Sequence, residues 1–210
     1  MKKNSHKKQN KRGFTLFEVL VSVAIFTILT TSILVKNGQF KNSTLTSNLA
    51  AELGLVVRKA QSYGIGVRGS NSQTSVANAS KYYGIYLKYA DDSSVIMFRD
   101  GNSNSDGVYQ VGSDDVQDVF RLNGDYQIDG YSVKDLATGN VIAGGPVGGS
   151  LASEVSVSFR RPDPSAKIFY VRNGISIEAS EVTIRVRMRK SGSKVASLTI
   201  YSTGQIYVQE

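Results

Sequence analysis

One acid in an otherwise apolar run constrains this chain more than anything else in it. From Gly13 to Val35 the sequence reads GFTLFEVLVSVAIFTILTTSILV, and Glu18 is its only charged residue. As α-helix, residues 14–35 span roughly 33 Å, about the thickness of a bilayer's hydrocarbon core. Lys2, Lys3, Lys7, Lys8, Lys11 and Arg12 precede the run with no acid among them. A basic flank of that kind stays cytoplasmic, so the chain beyond Val35 is expected on the outer side of the membrane. An ionisable group one turn into a membrane helix costs on the order of 2–4 kcal/mol, which predicts a partner for Glu18. A secretory signal peptide would end on a small-residue cleavage site of the A-x-A kind, and the sequence after Leu29, TTSILVKNG, has no such pattern. A plain signal anchor leaves the acid without a reason.

Beyond the run the helical period continues. Leu45, Leu49, Leu53, Val56, Ala60 and Tyr63 recur at spacings of three and four, one face of an amphipathic helix. Lys36 to Asn48, rich in Asn, Ser and Thr, is expected to be loose or bent, and Gly64 and Gly66 supply an end. Gly69 to Ser80 reads as a surface loop. After it the period falls to two: Tyr83, Ile85 and Leu87 alternate with Gly84, Tyr86 and Lys88, and a turn at Asp91-Asp92 leads into Ser94 to Phe98. Further strands are expected at 116–122, 126–133, 155–159, 167–171, 182–189, 196–201 and 205–208, with Gly139 to Ser150 as a connector. Helix first and strands after, without βαβ alternation, predicts an α+β fold with a mostly antiparallel sheet.

Gly13-Phe14-Thr15-Leu16-Phe17-Glu18 followed by an apolar helix resembles the processing site of type IV prepilins and of type II secretion pseudopilins. The resemblance implies that a prepilin peptidase cuts after Gly13 and methylates the new amine of Phe14. It makes Glu18 the family's characteristic acid, which neutralises a Phe14 amine of its own or a neighbouring subunit and so sets register during assembly. ELGLVVRKAQSYGIGVRG and the closing TGQIYV are similar to the corresponding parts of H-type minor pseudopilins. On that reading residues 1–13 are a leader, 14–66 one long helix with 14–35 in the membrane, and 67–210 a β-rich domain, together a pilin-like fold. The implied function is that of a structural subunit, minor rather than major, in a type IV pilus or secretion pseudopilus. Its implied partners are the peptidase, other pilin subunits, an inner-membrane assembly platform, and lipid before assembly. The implied location is a single-pass inner-membrane protein with a periplasmic or extracellular domain, and an extracellular filament afterwards.

Composition narrows the chemistry. The chain has no cysteine, and its one histidine, His6, lies in the basic leader. The remainder therefore lacks Cys or His for a zinc site and lacks a Ser-His or Cys-His pair, so no enzyme and no cofactor is expected. A disulfide loop like that of many major pilins is ruled out. Of 25 Lys and Arg, six lie before Gly13, which leaves 19 against 17 acids; the high formal charge marks topology more than a nucleic-acid partner.

Two constellations remain. Asp100, Asn102, Asn104 and Asp106 place oxygen side chains at alternate positions of a turn-forming loop, the way calcium loops supply ligands to a hard cation. Ser105 and Val111 stand where an EF-hand needs glycine and a bidentate Glu, and Asp114 or Asp115 is left to close the shell. The competing reading is a plain turn. Arg185, Arg187 and Arg189 alternate along one strand, with Lys190 and Lys194 in the next turn and Arg160, Arg161 and Arg172 nearby in sequence. The alternative function is accordingly a DNA-binding minor pilin of an uptake system, since some competence pilins bind DNA; the competing reading is a solvated sheet face. The tyrosines, Tyr82, Tyr83, Tyr86 and Tyr89 among them, are expected to cover sheet faces and subunit contacts.

Overall fold

The computed structural model describes residues 13–66, 81–88, 91–101, 105–144, 152–189 and 194–209. The leader before Gly13, the loop at 69–80, Tyr89, Asn102, Asn104 and Lys190 lie outside the described residues. The chain divides into two compact units, residues 1–41 and 42–210. The element α1 (Leu16–Ile65) is helical through the Asn/Ser/Thr-rich stretch that the sequence marks as loose.

In the first unit the helix carries its apolar side chains outward. Phe14, Leu16, Phe17, Phe26 and Ile28 are all more than two-thirds exposed, and Leu16–Leu34 has a mean hydropathy of 2.1, long and apolar enough to cross a membrane. Its hydroxyls do not contradict that. Ser22, Thr27, Thr30 and Thr31 each donate to the carbonyl four residues back, at 2.7–2.8 Å, so their polar groups are satisfied within the helix.

The second unit is the rest of α1 against an antiparallel sheet. The strands are β1 (Tyr83–Lys88), β2 (Ser94–Arg99), β3 (Asp115–Arg121), β4 (Tyr126–Asp135), β5 (Val141–Gly144), β6 (Glu154–Arg160), β7 (Asp163–Arg172), β8 (Ile175–Met188), β9 (Val195–Tyr201) and β10 (Ile206–Gln209). Their order is β10-β9-β8-β7-β6-β1-β2-β3, with β4 on β8 and β5 on β4. The long β8 makes the branching possible: Ile175 to Ala179 pair with β7, while Glu181 to Arg187 lie between β9 and β4.

The core forms where α1 meets one face of this sheet. Leu49, Ala50, Leu53, Val57 and Ala60 pack with Ile85, Leu87, Val155, Val157, Phe159, Val182, Ile184, Val186, Leu198 and Ile200. This corrects the helix face. Leu45 is exposed, Val56 and Tyr63 pack against the core while only partly buried, and Thr46, Ala50 and Val57 are buried beside the expected Leu49, Leu53 and Ala60. The helix is turned so that small residues meet the sheet and its axis can come close. Gly64 shows how close: a Cβ there would lie 2.5 Å from the Phe159 carbonyl oxygen. A second correction concerns Gly139 to Ser150. Val141 to Gly144 form β5, paired with Tyr131 to Lys134, because Asp135 closes the preceding turn by accepting from the N–H and hydroxyl of Thr138. β7 and β8 are also longer than their apolar cores suggested; they are joined through Asn173-Gly174, both at positive φ, the turn that suits a tight hairpin.

Candidate functional site

Gly13 and Phe14, the residues expected to be processed, stand just before α1, and Glu18 lies in its first turn. Gly13 is exposed, and nothing lies within 4 Å of the place a Cβ would occupy. Thr15 accepts the Glu18 N–H at 3.2 Å through Oγ1, an N-cap that fixes where the helix begins. The Gly13–Phe14 bond therefore precedes the first helical turn, in backbone free of helical hydrogen bonds. Glu18 lies in the first turn of the helix, where unpaired N–H groups and the helix dipole favour a negative charge. It is exposed.

The acid-rich segment between β2 and β3 folds over the outer face of β1. Tyr109 stacks obliquely on Tyr86 and Phe98, with centroids 4.5 and 5.2 Å apart, and its N–H donates to Ser156 Oγ at 3.2 Å. Gly107, at φ +84°, passes so near Ser158 that a Cβ would lie 2.5 Å from Oγ. Burial on both faces explains why β1 buries Gly84 and Tyr86 as well as Ile85 and Leu87. Asp114 pins the segment by accepting from the N–H groups of Gly101 (3.0 Å) and Gln110 (2.8 Å). Asp106 accepts from Val108 N–H at 2.9 Å. Asp100 is fully buried; Oδ2 accepts from Gly107 N–H at 3.0 Å, while Oδ1 has no hydrogen-bond partner. Burial pushes its carboxyl above the ordinary carboxylate range against the Gly107 bond, and the charges of Asp114 and Asp106 push it further. Of the four residues expected to hold calcium, only Asp100 and Asp106 are described, and among the described residues no three His, Cys, Asp or Glu side chains are grouped to hold a metal ion.

The arginine strand is the second half of β8. Val182, Ile184 and Val186 are buried, and Arg185 and Arg187 alternate with them as expected. Two of the three arginines are engaged by acids. Arg187 Nε lies 2.7 Å from Asp129 Oδ1, and Asp129 sits at a register shift of β4, an irregularity that re-aims side chains. Arg189 donates to both oxygens of Asp92, at 3.0 and 2.9 Å, and to Gln127. The strand thereby fastens the β1–β2 turn to β8. In that turn, despite burial, hydrogen bonds from Ser94 and Ser93 hold the Asp91 carboxyl below its usual value. The acids that engage the arginines are distant in sequence from them, so strand alternation alone carried no sign of the pairing.

Residues 8–34 match the family model for the prokaryotic N-terminal methylation motif. No curated protein and no solved structure matches the chain.

Proposed function

We propose that this chain is a structural subunit, of minor abundance, in a type IV pilus or a type II secretion pseudopilus. The methylation motif supports a protein of the type IV pilin or pseudopilin type, and an apolar N-terminal helix followed by a mostly antiparallel sheet fits the pilin-like α+β fold. In this reading a prepilin peptidase cuts after Gly13 and Phe14 becomes a methylated, positively charged terminus. The Phe14 amine and the Glu18 carboxylate then neutralise one another, within a subunit or between neighbours. A buried pair of this sort is attractive only with both members present, so it fixes register more than it adds stability. The exposed apolar side chains of Leu16–Leu34 pass from lipid to the helices of neighbouring subunits, and the sheet domain faces outward.

The observation that carries this reading is the coincidence at one helix start of a glycine with open surroundings, an N-cap, and an acid one turn into an exposed apolar helix. Two substitutions in the producing cell test it. Gly13→Ala meets no steric obstacle in the folded chain, so its effect reports recognition by the peptidase. The leader should stay attached and Phe14 unmethylated by mass spectrometry. Glu18→Ala should be cleaved normally and yet be lost from sheared filaments. A native protein that keeps residues 1–13 while it sits in a filament would falsify the proposal.

A further inference from the structure

The path of the sheet ends at β3, and among the described residues β3 pairs with β2 alone. The Leu122 N–H donates to the Ser93 carbonyl at 2.8 Å, so the backbone groups of Leu122 face the β2 side. In an antiparallel ladder successive residues face opposite ways. The backbone groups of Phe120 therefore also point to β2, and the N–H and carbonyl groups of Val119 and Arg121 point to the free edge. The register from Asp118 to Arg121 is regular, and its one shift lies between the Met97–Asp118 and Phe98–Val116 pairs. An edge of this kind is a template for another strand. The acids that would blunt it are cancelled within the chain, Asp118 by Lys59 and Asp115 by Arg99.

Beside that edge the helix and the sheet draw apart. Leu49 belongs to the core and Phe120 only packs against it. A cleft of about 300 Å³ lies between them, lined by Leu45, Leu49 and Glu52 of α1 and by Phe120 and Tyr126 across from them. Further along the helix, Lys59 and Asp118 join its two walls. Among the described residues Glu52, Asp125 and Arg121 enter no ion pair, which leaves two carboxylates against one guanidinium at the rim. Burial first, and then the charges of Asp125 and Glu52, push the Tyr126 hydroxyl above its ordinary value, so both carboxylates act on the cleft.

We infer that the free edge of β3 and this cleft bind an extended segment of a partner protein, added to the sheet as a strand, with an apolar side chain in the cleft and a lysine or arginine next to it on the same face. Main-chain bonds to Val119 and Arg121 supply the affinity, and alternate side chains supply the specificity. Those that share a face with Phe120 meet Leu45 and Leu49. At about 300 Å³ the cleft stands at the lower limit of small-molecule sites, and it takes a side chain rather than a cofactor. The surplus of carboxylate at the rim selects a cation for the neighbouring position. This surface is separate from the N-terminal motif and does not rest on the filament reading.

The test selects random linear peptides, displayed on phage, on the full chain in detergent micelles, with empty micelles removing the background. Enriched sequences are then synthesised and their binding followed by fluorescence anisotropy. They should carry an apolar residue two positions from a lysine or arginine. N-methylation of alternate backbone amides in the peptide should abolish binding in one of the two possible sets and spare it in the other. V119P removes an N–H that faces away from β2, which an edge strand tolerates, and should weaken binding at least about tenfold. E52Q should weaken it by about two- to fivefold, an effect that fades at high salt. No enrichment over empty micelles, equal binding of the two methylated sets, or a folded V119P that binds as tightly as wild type would overturn the site. So would an acidic consensus or one without the apolar position. The methylated pair decides even where V119P does not fold.

Discussion

Asp100 is fully buried with one oxygen satisfied and the other without a partner, and the consequences can be followed through pH. Burial, then repulsion from Asp114 and Asp106, raises its carboxyl, while the Gly107 N–H and the charge of Lys81 oppose the rise. An acid whose folded-state value is raised contributes its stability fully below the ordinary carboxylate range, near 3.9, and loses it as pH rises through the folded-state value. Asp118, lowered by its bond and charge pairing with Lys59, and Asp163, lowered by Ser165, run the other way: their contributions are lost as the medium becomes acid. Asp100→Asn removes the first dependence and leaves the others. Thermal melts in the presence of a chelator should show the variant gaining on wild type from pH 4 to pH 7, by about 2–4 °C for each kcal/mol relieved. A melting difference constant over that range contradicts this account. Calcium, expected at this loop from its sequence, is tested by the same two proteins, since an ion held there should raise the melting temperature of wild type and not of Asp100→Asn.

The second half of α1 shows what a helix pattern conveys and where it stops. The period of three and four identified the helix and most of its buried side, but Ala50 and Val57 are buried more deeply than Leu45 and Val56, although Val56 still packs against the core. Periodicity cannot separate neighbouring rows of apolar residues. The choice was made by close approach, and glycine and alanine permit it. Gly64→Ala should therefore cost about 1–3 kcal/mol, because the added methyl meets the Phe159 backbone at 2.5–2.8 Å. Gly124→Ala, with nothing within 4 Å, is the matched control and should change urea stability little. Strands read well wherever one face met the core, as in Val182, Ile184 and Val186. They read poorly where the second face was covered by a distant segment, as Tyr109 covers Tyr86, or where a four-residue strand such as β5 lay among glycines. The N-terminal motif was legible because its residues are contiguous, Gly13 to Glu18, within the matched residues 8–34. Leu49 and Phe120 are far apart in sequence, and only the packing of α1 beside β3 brings them to one cleft.

At the scale of the whole chain, the division at residue 41 separates two kinds of apolar surface. Among the described residues, Phe14 through Leu34 carry most of the large exposed apolar side chains, whereas every buried residue lies at or beyond Thr46. A chain of residues 42–210 keeps the whole core and discards the surface that needs lipid or neighbouring helices. It should be soluble and monomeric by size-exclusion chromatography, with a cooperative melt and fixed near-ultraviolet dichroism from its tyrosines. A chain of residues 67–210 keeps every strand and removes Leu49, Leu53 and Val57 from the sheet. Each of those side chains contributes about 1.5–3 kcal/mol by burial, and together they approach the roughly 5–15 kcal/mol by which a domain is stable at all. The shorter chain should aggregate or remain unfolded, since Val157, Phe159, Ile184 and Leu198 would face water. If 67–210 folds as well as 42–210, the helix is an ornament on the sheet rather than half of its core. Should 42–210 aggregate instead, the first unit contributes to the domain's folding, and the boundary at residue 41 is misplaced.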